Sequence, residues 1–185
     1  MKYEMTDEKI NFAGRTLYRI KATDCFVTPF GPIHIGDLGG YIENAGNLSQ
    51  FGECWIFDKA KVFGDAIVST RACVFDEAIV RDSALVSGAA VIRDHTVVAD
   101  KALVTDQVSI YDNSCIFDSA CILDFACIKG NAKITESATV SGCSIVSDNA
   151  MITGYSSISG RVCIKGSAFI KDLTINIREE TCLIK

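Results

Sequence analysis

The chain has two histidines in 185 residues, no Cys-x-x-Cys pair among its nine cysteines, and no apolar run near the roughly 18 residues of a membrane span. Each shortage narrows the functions open to it. Two imidazoles leave few groups able to move a proton near neutral pH. An odd cysteine count without close pairs favours small, soft surface or interface thiols in a reducing compartment over disulfides or metal ligands. There is no Gly-x-Ser-x-Gly elbow, no Walker loop and no dinucleotide fingerprint. Met1-Lys2-Tyr3-Glu4 does not open a signal peptide, so the expected compartment is the cytoplasm. A net charge of −5 argues against duplex nucleic acid or an anionic membrane as a general partner.

What the chain does have is a repeat. From Cys54 to Leu173 it runs in twenty consecutive hexads without an insertion: small, variable, Val/Ile, variable, Asp/Gly, variable. The third position is Val or Ile in all twenty, and the fifth is Asp or Gly in eighteen, Thr70 and Glu136 being the exceptions. In an extended segment the first and third positions share one side, and the second and fourth point the other way. The fifth and sixth carry turn chemistry, because Gly accepts positive φ and Asp tolerates it. Each hexad is therefore a short strand and a corner. One such unit cannot bury its apolar side, whereas stacked units share a core. At 49% hydrophobic, the chain can bury that core as one domain.

The array resembles the hexapeptide-repeat, left-handed parallel β-helix proteins, whose best-known members are homotrimeric acyltransferases. Here the Gly or Asp falls two residues after the aliphatic position, not directly after it. The leader, with Gly14-Arg15-Thr16-Leu17-Tyr18, Gly36-Asp37-Leu38-Gly39-Gly40-Tyr41-Ile42-Glu43 and Gly52-Glu53-Cys54-Trp55-Ile56, is similar to that of the YdcK-like β-helix proteins of enterobacteria and tailed phages. The resemblance implies an all-β, single-stranded left-handed parallel β-helix with triangular coils of about 18 residues. The expected organisation is an N-terminal hairpin and cap over 1–53, the helix over 54–173 and a C-terminal cap over 174–185. Ile10-Asn11-Phe12 and Thr16 to Ile20 predict a hairpin with a three-residue connection, Ala13-Gly14-Arg15. Thr28-Pro29-Phe30-Gly31-Pro32 reads as a loop, and Arg178-Glu179-Glu180 as charge that discourages end-to-end stacking.

Residues 18 apart stack into outward columns. Ile67, Leu85, Leu103 and Cys121, with Leu123 beside them, form an apolar ridge that suits self-association, a homotrimer by resemblance, or cover by the leader. A second side carries Phe57, Phe75, Arg93, Tyr111 and Lys129; the third carries Phe63, Arg81 and Phe117. The plainer reading of these columns is ladders that cover sheet surface. The functional reading assigns Phe75, Arg93, Tyr111, Lys129, Arg81 and Phe117 to a small anionic ligand, with aromatic faces for a base and cations for a phosphate. Asp58, Asp76, Asp94 and Asp112 stack at one corner, where turn chemistry outweighs a Ca²⁺ site. Cys115, Cys121 and Cys127 fall on successive sides and do not converge on a metal.

Three functions follow. The first is a non-catalytic, homo-oligomeric binding protein that sequesters a nucleotide-like anion in surface or inter-subunit clefts and needs no cofactor. The second is a CoA-dependent acyltransferase, whose base would be His95 or His34. The third is a scaffold for a protein partner.

Overall fold

The structure, a computed structural model, describes residues 1–184, with side chains through Ile177. The charged run Arg178-Glu179-Glu180 lies outside the described side chains. The chain is an all-β parallel solenoid of about eight coils with an antiparallel hairpin at its N-terminus. From Trp55–Ile56 to Ile145–Val146 each hexad contributes a two-residue strand at its second and third positions. Lys61–Val62, Ile79–Val80 and Val97–Val98 stack in parallel at an offset of 18, and the other two sides repeat the register. Three strands per coil make three faces. Two of them join through Ser157–Lys165, a single strand that belongs to both. Thr174–Ile184 lays a further parallel strand on it, with a register shift between Gly160 and Val162.

The interior is narrow, so each side contributes one small and one aliphatic side chain. Ala60, Val62, Ala66, Val68, Ala72 and Val74 are completely buried, and their successors along the array are buried too. The fifth position is left-handed at every corner from Asp58 to Asp172, including the two exceptions, Thr70 at φ 63° and Glu136 at φ 58°. Asp is common there for a second reason: its carboxylate accepts the N–H of the corner one coil on. Asp76 accepts from Asp94 at 3.1 Å, Asp94 from Asp112 at 3.0 Å and Asp112 from Gly130 at 2.9 Å. The stacked aspartates are thus rungs of a carboxylate–amide ladder. Among the described residues no group of three or more His, Cys, Asp or Glu could hold a metal ion.

In the leader, β1 (Tyr3–Phe12) and β2 (Arg15–Ala22) form the hairpin. Its connection is two residues, Ala13 at φ 49° and Gly14 at φ 75°, one fewer than expected, because Arg15 joins the ladder opposite Phe12. Two positive-φ residues match the twist of a tight hairpin. A second, small hairpin, β3 (Phe26–Thr28) and β4 (Gly31–Ile33), replaces the expected loop, with Pro29-Phe30 at its tip. The strand β5 (Leu38–Ile42) then pairs antiparallel with β2 and parallel with Lys61–Val62. Ile42 and Leu48 fill aliphatic slots below Val62 and Val68, so the first coil lies inside the leader. The offset is 20 at Tyr41↔Lys61 and 18 at Trp55↔Cys73. The two extra residues sit in the Ser49–Glu53 corner and hide that coil from a six-residue register.

The leader also closes the N-terminal end and covers two faces of the early coils. Tyr3 and Phe26 meet Trp55 edge-on, with ring centroids 6.3 and 5.4 Å away. Lys2 donates from Nζ to the Cys54 carbonyl at 2.9 Å. Phe63, outward by pattern, is buried with Leu17 and Tyr41 and meets Phe12 at 6.0 Å. The thiols follow this cover: Cys54 and Cys73 are completely buried, contrary to a surface role, while Cys25 and Cys143 are exposed. Among the described residues no helix is long and apolar enough to cross a membrane.

Candidate ligand-binding groove

The second side of the solenoid acquires a wall from the leader. Phe57 and Phe75, one coil apart, stack at 4.2 Å and 5°. The tip residue Phe30 meets Phe75 edge-on at 4.8 Å, which holds the β3–β4 hairpin against this face. The Arg93 guanidinium lies over the other end of the stack, 5.5 Å from the Phe75 centroid. Between Phe30 and the face runs a groove of about 210 Å³ lined by Phe30, Val91, Arg93, Ser109 and Tyr111.

Its chemistry is cationic and aromatic. Arg15, Arg19, Arg71 and Arg81 are each paired with a carboxylate, whereas Arg93 has no carboxylate partner within ion-pair distance among the described residues. A guanidinium backed by a ring and left without a counter-ion suits an incoming anion. Tyr111 shares a hydrogen bond with the Cys127 thiol at 3.3 Å. That bond, with burial second, pushes its phenol up to about 12, so it stays protonated. Ser109 on the floor adds a hydroxyl.

The structure distributes the sequence-derived candidates unevenly. Phe75, Arg93 and Tyr111 stack in successive coils, and the latter two line the groove; Lys129 follows one coil beyond Tyr111 on the same face. Arg81 and Phe117 stand on a different face, where Arg81 is tied to Asp82, so they share no site with Arg93. Phe30 escaped the sequence reading. The available signal was an aromatic residue between two prolines in a short loop, which says nothing about where that loop folds.

The histidines lie apart from the groove lining. His34 and His95 are both about two-thirds exposed, with Nδ1 3.6 Å from Asp37 and Glu77 respectively. Asp94, adjacent to His95, spends its carboxylate on the Asp112 amide. The apolar ridge is not covered by the leader: Ile67 is 43% and Leu85 37% exposed, while Leu103, Cys121 and Leu123 are half-buried. No outward residue of that face is charged, from Ile67 and Ser69 through Leu103 and Thr105 to Ser157 and Ser159.

Fold and groove together define the class: a parallel β-solenoid whose leader covers two faces of the early coils and walls an aromatic, cationic groove on one of them. Compared with known proteins, the chain matches no family profile and no curated sequence.

Proposed function

We propose that the protein is a homo-oligomeric, non-catalytic binding protein that sequesters a small, nucleotide-like anion in the groove beneath Phe30. The observation that carries this reading is the Arg93 guanidinium, without a carboxylate partner among the described residues, beside two aromatic walls. The base would stack against Phe30 and Tyr111, and a phosphate would pair with Arg93. Assignment to the hexapeptide-repeat, YdcK-like group, phage-type and cytoplasmic, rests on the repeat and leader motifs. Assembly as a trimer is supported by the uncharged apolar face, which meets a copy of itself without repulsion.

Calorimetry with AMP tests the site. Arg93→Ala is expected to weaken binding at least about tenfold, about 1.4 kcal/mol, with an unchanged melting temperature. Equal affinity in the variant would remove the reading. The acyltransferase alternative predicts CoA release from acetyl-CoA that is lost in His34→Ala or His95→Ala. Two exposed histidines away from the groove lining give it little support.

A further inference from the structure

Around the corner from the groove, the carboxylate–amide ladder is interrupted. In the column Thr70, Gly88, Asp106, Asp124, the first two residues carry no carboxylate. The ladder resumes only above them, where Asp106 accepts the Asp124 N–H at 3.3 Å and Asp124 accepts the Gly142 N–H at 2.9 Å. The N–H groups of Gly88 and Asp106 therefore lack a carboxylate acceptor, as do those of Asp82 and Asp148 above Gly64 and Gly130. Here, however, two such gaps are consecutive, and neither amide has another acceptor among the described residues. Gly88 cannot be replaced to fill the gap. At φ 65° its Cβ would lie 2.3 Å from the Asp106 nitrogen.

The gap opens into a cleft of about 650 Å³ on the Pro29 side of the hairpin tip, lined also by Arg71, Ala89 and Gln107. Glu53 holds the Arg71 Nε at 2.9 Å. The Asp106 carboxylate is turned away toward Asp124. What fills such a gap is shown at a different corner, that of Gly64. The Gly64 N–H donates to Glu43 Oε2 at 2.7 Å, and Arg15 grips the same carboxylate at 2.8 and 2.9 Å. The Gly64 bond is the main cause that holds the Glu43 carboxyl below its ordinary range. A corner amide beside an arginine is thus an oxyanion site in this molecule, occupied there by the chain itself.

We infer that the Gly88 and Asp106 amides, with Arg71 and Gln107, form a phosphoryl subsite, so that the ligand of the proposed groove carries a second phosphoryl group. This rests on the groove reading for the rest of the ligand. The two clefts adjoin: Ala89 and Val91, and Gln107 and Ser109, are two residues apart, about 7 Å of extended chain. A base beneath Phe30 and a phosphate at Arg93 leave the next phosphoryl group at the corner, beside the hairpin tip. The shared chemistry fits a nucleoside diphosphate or a 5′-phosphorylated dinucleotide.

Thr70→Asp tests the subsite from within. Position 70 already adopts φ 63°, and Asp is the common residue of this slot, so the variant folds and supplies the missing carboxylate beneath the Gly88 amide. Titration with inorganic pyrophosphate should shift the amide resonances of Gly88 and Asp106 in the wild-type protein, and the Gly88 shift should vanish in Thr70→Asp. Absent shifts, or equal shifts at all corner amides, would overturn the subsite. ADP should bind at least about tenfold more tightly than AMP, and Thr70→Asp should erase that difference without weakening AMP. Equal affinity for AMP, ADP and pApA would refute the extended ligand while leaving the groove intact; a gain with only ADP or only pApA separates the two sources. If pyrophosphate shifts the corner amides but no nucleotide binds, the subsite stands and the groove reading fails.

Discussion

Asp94 offers a direct measure of what the corner aspartates contribute, because two effects meet there and can be separated. It holds φ 61°, a left-handed conformation that costs an ordinary L-residue about 1–2 kcal/mol. It also accepts the Asp112 N–H at 3.0 Å, worth about 1 kcal/mol net or less at this exposed corner. Asp94→Asn keeps the tolerance for positive φ and an acceptor oxygen, and should cost less than about 0.5 kcal/mol. Asp94→Gly keeps the conformation but loses the acceptor, and adds freedom to the unfolded chain, for about 1–2 kcal/mol. Asp94→Ala loses both, for about 2–3 kcal/mol. At about 2–4 °C per kcal/mol, the alanine variant should melt about 4–12 °C lower. Long repeat arrays need not unfold in one step, so hydrogen exchange at the Asp112 amide gives the local measure. Protection there should fall in the glycine and alanine variants and persist in the asparagine variant. An asparagine variant as unstable as alanine, or a glycine variant as stable as wild type, would refute the ladder.

Three further outcomes are expected. Thr96 fills a small-residue slot in the core with its hydroxyl buried and unpartnered, so Thr96→Val should raise stability by about 1 kcal/mol in thermal melts; a loss would mean that the hydroxyl has a use. Burial is the main cause that raises the Cys73 thiol and the Tyr3 phenol from about 9 and 10 to about 12. The unfolded chain therefore binds fewer protons between pH about 9 and 12, and urea midpoints should fall as pH rises through that window while these groups add no slope below it. Leu85→Glu, on the uncharged face, should shift sedimentation from oligomer to monomer without changing the circular dichroism, and an unchanged sedimentation coefficient would exclude that face as the interface.

The hexads made the solenoid legible because the interior admits one pattern only. A small residue and a Val or Ile must recur where three walls converge, and the corner must accept positive φ. Both constraints act on residues close in sequence. The coil built from Ile42 and Leu48 was not legible, because the two extra residues in the Ser49–Glu53 corner break the period while leaving the stacking intact. The groove was half legible. The column of Phe75, Arg93 and Tyr111 follows from an 18-residue offset. Its wall, Phe30, depends on a hairpin that docks far from its place in the chain, and no local spacing encodes that contact. The burial of Trp55, Cys73 and Phe63 has the same origin: each occupies an outward position by pattern and is enclosed by the leader.

The 18-residue register that runs from Trp55 to Lys171, below the shifted terminal strand, has a mechanical consequence. Pulled from its C-terminal end, the chain would release one coil at a time, each freeing about 60–65 Å of contour length. Extension should therefore proceed in nearly equal steps until the early coils, where Phe30, Tyr3 and the β1–β2 hairpin lock three segments together. The molecule would behave as a ratchet with a uniform pitch and a stiff terminal catch.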